Sequence, residues 1–325
     1  MDTITPLNQA RADYNDQLRN LHDRFVEKAR ALGRTSEKDT YTDLKEEMHK
    51  EYALLGNRLL EAGFYDFSLM VFSRLEQTVH ECWEITGAID FSKGLAFYNQ
   101  GVAYIFQENF FRGISLIQLA QEADKDLAHH GAAEKALQSW SASACNFIRD
   151  LLNHDQDYRA LEPATILDRL GNDRYRLMAI VVEYQTRLRD WRSLAVKDAA
   201  EANIMRICKL TEYYLKKRLR KAVELSPLIQ SAFSHDKRRF PWYAKWAQWK
   251  NKGGATSYSS ASDDAKIESI LQSSDDGVLK SFKLLCLLRN FTAHIYNEES
   301  ILFDRYEECF KACLGALMYT VNYVG

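Results

Sequence analysis

From about Leu44 to the C-terminus, apolar residues recur at three- and four-residue intervals, the spacing that turns one face of an α-helix towards a core. Before that, residues 7–33 read as a polar, charged helix that stops near Gly33 and carries Leu18, Leu21, Phe25 and Ala29 on one stripe. Two further stripes follow, Leu137, Trp140, Ala144, Phe147 and Leu151, then Leu177, Ile180, Val181 and Tyr184, with a break near Pro163 between them. The pattern ends in two long helices. The first spans 276–293 with Leu279, Phe282, Leu285 and Leu288; the second spans 298–323 with Leu302, Tyr306, Cys309, Phe310, Cys313, Leu317 and Val321. They are expected to pack as an antiparallel pair. The run from Asn251 to Asp264, made of small polar residues, predicts a flexible loop within the C-terminal half.

Composition sharpens this into a fold class. Only 4 prolines and 14 glycines punctuate 325 residues, too few turn-formers for a β-rich or parallel α/β chain, so the expected fold is all-α. The length suits two domains, which we divide as 1–160 and 161–325. With 46% hydrophobic and 27% charged residues, neither a disordered chain nor a coiled-coil rod fits. The N-terminus lacks a basic and apolar leader, and no apolar run approaches the ~20 residues of a membrane span. A cytoplasmic protein without membrane contact is expected. Six scattered cysteines with no Cys-x2-Cys pair read as reduced core thiols. The His129-His130 pair has no carboxylate or thiolate nearby at ligand spacing, and no glycine-rich phosphate loop is present, so neither a metal nor a cofactor is expected.

Two stretches repeat each other. Leu55-Gly56, Gly63-Phe64-Tyr65, Ser68 and Phe72 are followed by Gly101, Tyr104, Phe110, Gly113 and Ala120. These offsets resemble the tetratricopeptide repeat over about 44–125, although Gly56 and Gly101 stand 45 apart and Glu108 occupies the place of the second turn glycine. Small residues at these positions let paired helix backbones touch. An ordinary array of antiparallel α-hairpins accounts for the same pattern, and either way the N-terminal half is expected to be α-solenoid-like.

Charge is distributed unevenly. The net charge is −2, yet between Arg206 and Lys252 thirteen basic residues face only Glu212, Glu224 and Asp236, a balance of +10 that leaves the remainder strongly acidic. Lys216, Lys217, Arg218, Arg220 and Lys221, with Lys237, Arg238 and Arg239, form a candidate phosphate track for RNA. Such a run also suits a solvated helix face. Phe240, Trp242, Tyr243, Trp246 and Trp249 interleave it, which fits bases stacking on rings. Trp242, Trp246 and Trp249 stand at i, i+4 and i+7, a spacing that equally predicts a buried stripe.

The candidate chemistry lies near the end of the penultimate helix, in Leu288-Arg289-Asn290-Phe291-Thr292-Ala293-His294-Ile295-Tyr296. An arginine four to six residues before a histidine occurs three times, as Arg74/His80, Arg149/His154 and Arg289/His294, so the loose spacing alone says little. Arg149/His154 is the rival to weigh. Only Arg289/His294 combines Arg-Asn-x3-His with His-x-Tyr and a long amphipathic helix that follows at once. This constellation resembles the signature of the HEPN superfamily, helical bundles whose active members are metal-independent ribonucleases with sites formed across a homodimer. The resemblance covers residues from about 165 to 325.

The residue types suit RNA cleavage. RNA carries its own nucleophile in the ribose 2′-OH, and imidazole titrates near pH 6.5, so His294 is the expected proton acceptor. Arg289 presents a guanidinium fork to the phosphate and to charge developing in the transition state, and Asn290 orients either group. Tyr296 is a packing or phosphate-contacting residue; the resemblance to HEPN toxins also implies a target for nucleotidylation by an antitoxin. The resemblance implies an endoribonuclease leaving a 2′,3′-cyclic phosphate and a 5′-OH, acting on single-stranded RNA or tRNA as a prokaryotic toxin or antiphage effector. The alternatives are a non-catalytic helical-repeat interaction protein with a dimerising bundle, and a nucleotide- or tRNA-binding regulator.

Overall fold

A computed structural model describes residues 4–34, 38–88, 91, 93–125, 132–188, 197–254, 260–291 and 301–324. Every regular element among them is a helix, and the fold is all-α. The chain divides into two compact units, residues 1–139 and 140–325. No helix among the described residues is long and apolar enough to cross a membrane.

The first unit contains α1 (Ile4–Leu32), α2 (Lys38–Glu61), α3 (Tyr65–Thr86), α4 (Gly94–Phe106), α5 (Phe110–Asp124) and the start of α6 (Ala132–Leu152). Its core gathers Phe25, Met48, Tyr52, Phe72, Leu75 and Val79. The α2–α3 and α4–α5 hairpins repeat one geometry. In the first turn the Gly63 N–H donates to the Leu60 carbonyl and Phe64 to Leu59; in the second, Glu108 donates to Ile105 and Asn109 to Tyr104. Gly63 takes φ 82° and Glu108 φ 64°, so a glutamate adopts the left-handed conformation that its counterpart meets with glycine. The helices also cross alike. Ser68 Oγ donates to the Gly56 carbonyl at 2.9 Å, and the equivalent Gly113 lies against Gly101, where an added Cβ on Gly101 would stand 2.8 Å from the Gly113 carbonyl oxygen. Gly101→Ala is therefore expected to cost about 1–3 kcal/mol through overpacking against backbone. Thermal unfolding measures it, and an unchanged midpoint would show that the hairpin opens freely.

His49 on α2 is buried, with neither ring nitrogen hydrogen-bonded among the described residues. Burial, with a smaller contribution from Lys45, pushes its pKa down from 6.5 to about 4. The unfolded chain then binds the proton that the folded chain refuses. Stability from this residue is complete above pH 6.5, falls as the pH drops towards 4 and levels off below, a loss of about 3 kcal/mol. His49→Leu should flatten that part of the pH–stability curve. An unaltered curve would place the titrating group elsewhere.

The second unit holds the rest of α6, then α7 (Pro163–Leu170), α8 (Arg174–Glu183), α9 (Lys197–Leu219), α10 (Leu225–Phe233), α11 (Trp242–Trp249), α12 (Ser260–Leu271), α13 (Gly277–Phe291), α14 (Ile301–Asp304) and α15 (Tyr306–Val324). Proline at the first position opens α7, where its missing N–H costs nothing. Asp276 caps α13 by accepting the Leu279 N–H at 2.8 Å. The expected helix over 298–323 is interrupted at Arg305, which separates α14 from α15. The expected loop over 251–264 contains a π-turn at Lys250–Gly254 and the start of α12; residues 255–259 lie outside the described residues.

The core of this unit is aromatic and thiol-rich. Trp242 stacks on Phe282 at 4.3 Å between centroids, and Phe233, Phe240 and Tyr319 close around the pair. Cys208, Cys286, Cys309 and Cys313 are buried, as are Cys82 and Cys145, and none of the six forms a disulfide. Burial raises the Cys286 thiol to about 12, which keeps it protonated and inert at neutral pH.

Candidate functional site

The site is organised by α9. Asn203, Ile204, Ile207, Cys208, Thr211, Tyr214 and Leu215 are buried, while Lys209, Tyr213, Lys217 and Arg220 line the outward stripe. This amphipathic helix packs on α8, α10, α13 and α15. Against α13 it keeps register over a turn, because Cys208 meets the Leu285 carbonyl and, four residues on in both helices, Glu212 meets Arg289. Against α8 the order reverses: Arg206 meets Glu183, Tyr213 meets Arg176 and Lys217 meets Asp173.

Arg289 occupies the last turn of α13. Its Nε donates to Glu212 Oε2 at 2.9 Å, while Lys216 Nζ donates to Glu212 Oε1 at 2.5 Å. The Glu212 side chain is 10% exposed and that of Arg289 30% exposed. Burial alone would raise the Glu212 pKa, but hydrogen bonds and charge from Lys216 and Arg289 outweigh it and hold the carboxyl below its usual value. A buried carboxylate thus anchors two cations on α9 and α13, and one of them is the arginine singled out by its motif. Asn290 is exposed beside it. His294 and Tyr296 fall in 292–300, outside the described residues.

The chain matches no family model, no curated protein and no solved structure.

The other basic residues divide into two sets. On α9, Lys217 Nζ lies 3.7 Å from Asp173 and the Arg218 guanidinium 5.4 Å from the centroid of the Tyr214 ring. Arg220 ends the helix with φ 51°, and Lys221 Nζ donates to Ser231 Oγ. Lys237, Arg238 and Arg239 belong to a different, exposed turn, closed by Asp236 Oδ1, which accepts the backbone N–H of Arg238 and Arg239. The Arg239 guanidinium lies over Phe240 and Tyr323. The interleaved rings have gone inward: Phe240, Trp242, Tyr243 and Trp246 are buried, and Trp249 is half-buried against Gly254. Of the two readings of the aromatic stripe, the core reading is the one realised.

The rival motif is laid out differently. Arg149 donates to Glu162 at 2.9 Å and to Asn146 at 3.1 Å. His154 lines a cavity of about 530 Å³ together with Asp155, Asp157, Tyr158, Lys280 and Lys311, to which Arg149 does not contribute. Among the described residues no group of three His, Cys, Asp or Glu is arranged to hold a metal ion.

Sequence reasoning missed two arrangements in this unit. One is a buried polar cluster in which Glu183 accepts from Arg206 at 2.5 Å and from Asn203 at 3.0 Å, with the Tyr306 hydroxyl donating to Asn203 Oδ1. The other is the pairing of Asp173 with both Arg176 and Lys217. Neither carries a local signal, because the partners of Glu183 and of Lys217 lie on separate helices.

Proposed function

We propose that residues 140–325 act as a metal-independent endoribonuclease of HEPN type, with Arg289, Asn290 and His294 as the reacting constellation. The observation that carries this reading is the anchoring of Arg289 by the buried Glu212, directly ahead of the segment that contains His294. A guanidinium held through Nε is pre-set to meet a phosphate, which lowers the entropy lost when RNA arrives. In the proposed reaction His294 takes the proton of a ribose 2′-OH, the 2′-oxygen attacks the adjacent phosphorus as the bond to the 5′-oxygen breaks, and the departing 5′-oxygen takes a proton from water. A 2′,3′-cyclic phosphate and a 5′-OH remain. Arg289 compensates the negative charge on the pentavalent phosphate, and the exposed α9 cations hold the flanking backbone. Pairing of two such motifs in a homodimer completes the site, Tyr296 serves as a phosphate contact or modification target, and the biological role is that of a toxin or antiphage effector.

Residues 1–139 fit a protein-binding role, the second reading. Leu54, Phe64, Trp83, Phe111 and Leu119 remain exposed there, Phe111 at 86%. Exposed rings of this kind suit a protein partner or antitoxin.

The test is incubation of the full-length protein with single-stranded RNA and with tRNA in EDTA. Cleavage with cyclic-phosphate ends is expected from the wild type, none from His294→Ala, and wild-type cleavage from His154→Ala. Loss of cleavage in His154→Ala with retention in His294→Ala would move the site to the rival motif. An inert wild type would favour the interaction-protein reading.

A further inference from the structure

Two carboxylates of the second unit each hold a pair of cations. Glu212 takes Lys216 and Arg289; Asp173, whose side chain is 11% exposed, takes Arg176 at 3.6 Å and Lys217 at 3.7 Å. Between the two pairs, on α9, stands Tyr213. Its position is i−3 to Lys216, i−4 to Lys217 and i+4 to Lys209, the offsets at which side chains on a helix surface are neighbours, roughly 5–6 Å apart at Cβ. The Arg176 guanidinium lies 5.4 Å from the centroid of the Tyr213 ring. Tyr213 is nevertheless 44% exposed, whereas Tyr214, Phe233, Phe240, Trp242, Tyr243 and Trp246 of the same basic stretch are buried.

We propose that Tyr213 is a base-stacking platform for one nucleotide of single-stranded RNA, with the flanking phosphates held by Arg176 and Lys217 on one side and by Lys216 on the other. This inference rests on the proposed ribonuclease reading and assigns a nucleotide subsite on α9, next in sequence to the Glu212 that holds Arg289. An aromatic face accepts any base, and cations around its rim meet the phosphates that lead into and out of that base. The two carboxylates pre-position those cations without neutralising the group, since each single negative charge faces two positive ones. Arg176 lies over one face of the ring, so the base is assigned to the opposite face. Tyr213 acts by binding and positioning, and takes no part in proton transfer.

The experiment is fluorescence anisotropy with a labelled oligoadenylate, 2′-O-methylated so that it has no nucleophile, and with the same ribose-phosphate chain lacking bases. Wild-type protein should bind the base-bearing chain roughly tenfold more tightly than the abasic one. Tyr213→Ala should reduce that preference to near unity without weakening abasic binding, and Tyr213→Phe should keep it. Lys217→Ala should weaken both chains alike and make the salt dependence shallower by about one charge. A preference that survives Tyr213→Ala, or equal wild-type binding of the two chains, would overturn the stacking role and leave the RNA interface standing. Binding of neither chain would overturn the ribonuclease reading together with the subsite.

Discussion

Arg289→Ala is expected to slow RNA cleavage roughly 10²–10³-fold in single-turnover assays, the loss seen when one preorganised donor to a developing negative charge is removed. Lysine at this position should recover little, because an ammonium is a point charge that cannot bond Glu212 through Nε and still offer a planar fork to the phosphate. Glu212→Gln should cost less, about tenfold, since the amide keeps an acceptor for Nε but no longer attracts the guanidinium. Folding must be followed alongside. Loss of Arg289 leaves Glu212, 10% exposed, with Lys216 alone, so some stability is also lost. The pH dependence gives a separate sign. The Glu212 pKa lies below its usual value, so the contribution of its ionised form is present above the ordinary carboxylate range and is lost as the pH falls through the lowered folded value. A variant that retains wild-type cleavage while its unfolding midpoint falls would reduce Arg289 to a structural partner of Glu212.

Arg206→Ala is expected to destabilise the second unit by about 3–5 kcal/mol, because it removes a charge partner from a carboxylate that is 3% exposed. Asn203 still donates one hydrogen bond to Glu183, which offsets only part of the lost charge partner. For a unit of this size the midpoint of thermal unfolding should fall by about 10 °C. Replacing both partners, as Glu183→Leu with Arg206→Met, should recover most of the loss, since apolar groups of similar volume need no solvation. A double variant no better than the single one would mean that packing around Arg206, and not its charge, carries the effect. A single variant with an unchanged midpoint would mean that water reaches Glu183 once the arginine is gone.

The helical readings came from short-range pattern. The stripe through Phe25 and Ala29 reappears as α1, the Leu279 to Leu288 stripe as α13, and the 45-residue offset between Gly56 and Gly101 as two hairpins with the same turn bonds. Even Glu108, out of place as a sequence letter, takes the left-handed conformation that Gly63 takes in the first turn. The helix read as continuous over 298–323 is interrupted at Arg305, a break that its apolar spacing does not signal. The motif residues Arg289 and Asn290 were visible as letters, but the partner that anchors Arg289 was not.

What the sequence by itself determined is local: an all-α chain, its apolar stripes, a basic tract at 206–252 and the Arg-Asn-x3-His motif. Helical bonds join residues four apart, so periodicity reveals them. Only the tertiary structure decided which carboxylate meets which cation, and which rings face solvent. Glu212 and Arg289 are 77 residues apart, and nothing in either neighbourhood announces the other. The aromatic tract illustrates the same limit, since Trp242 and Trp246 serve the core while Tyr213, without any pattern to mark it, stays exposed among the cations. Burial is a property of packed faces, and those faces exist only once α8, α9 and α13 have come together.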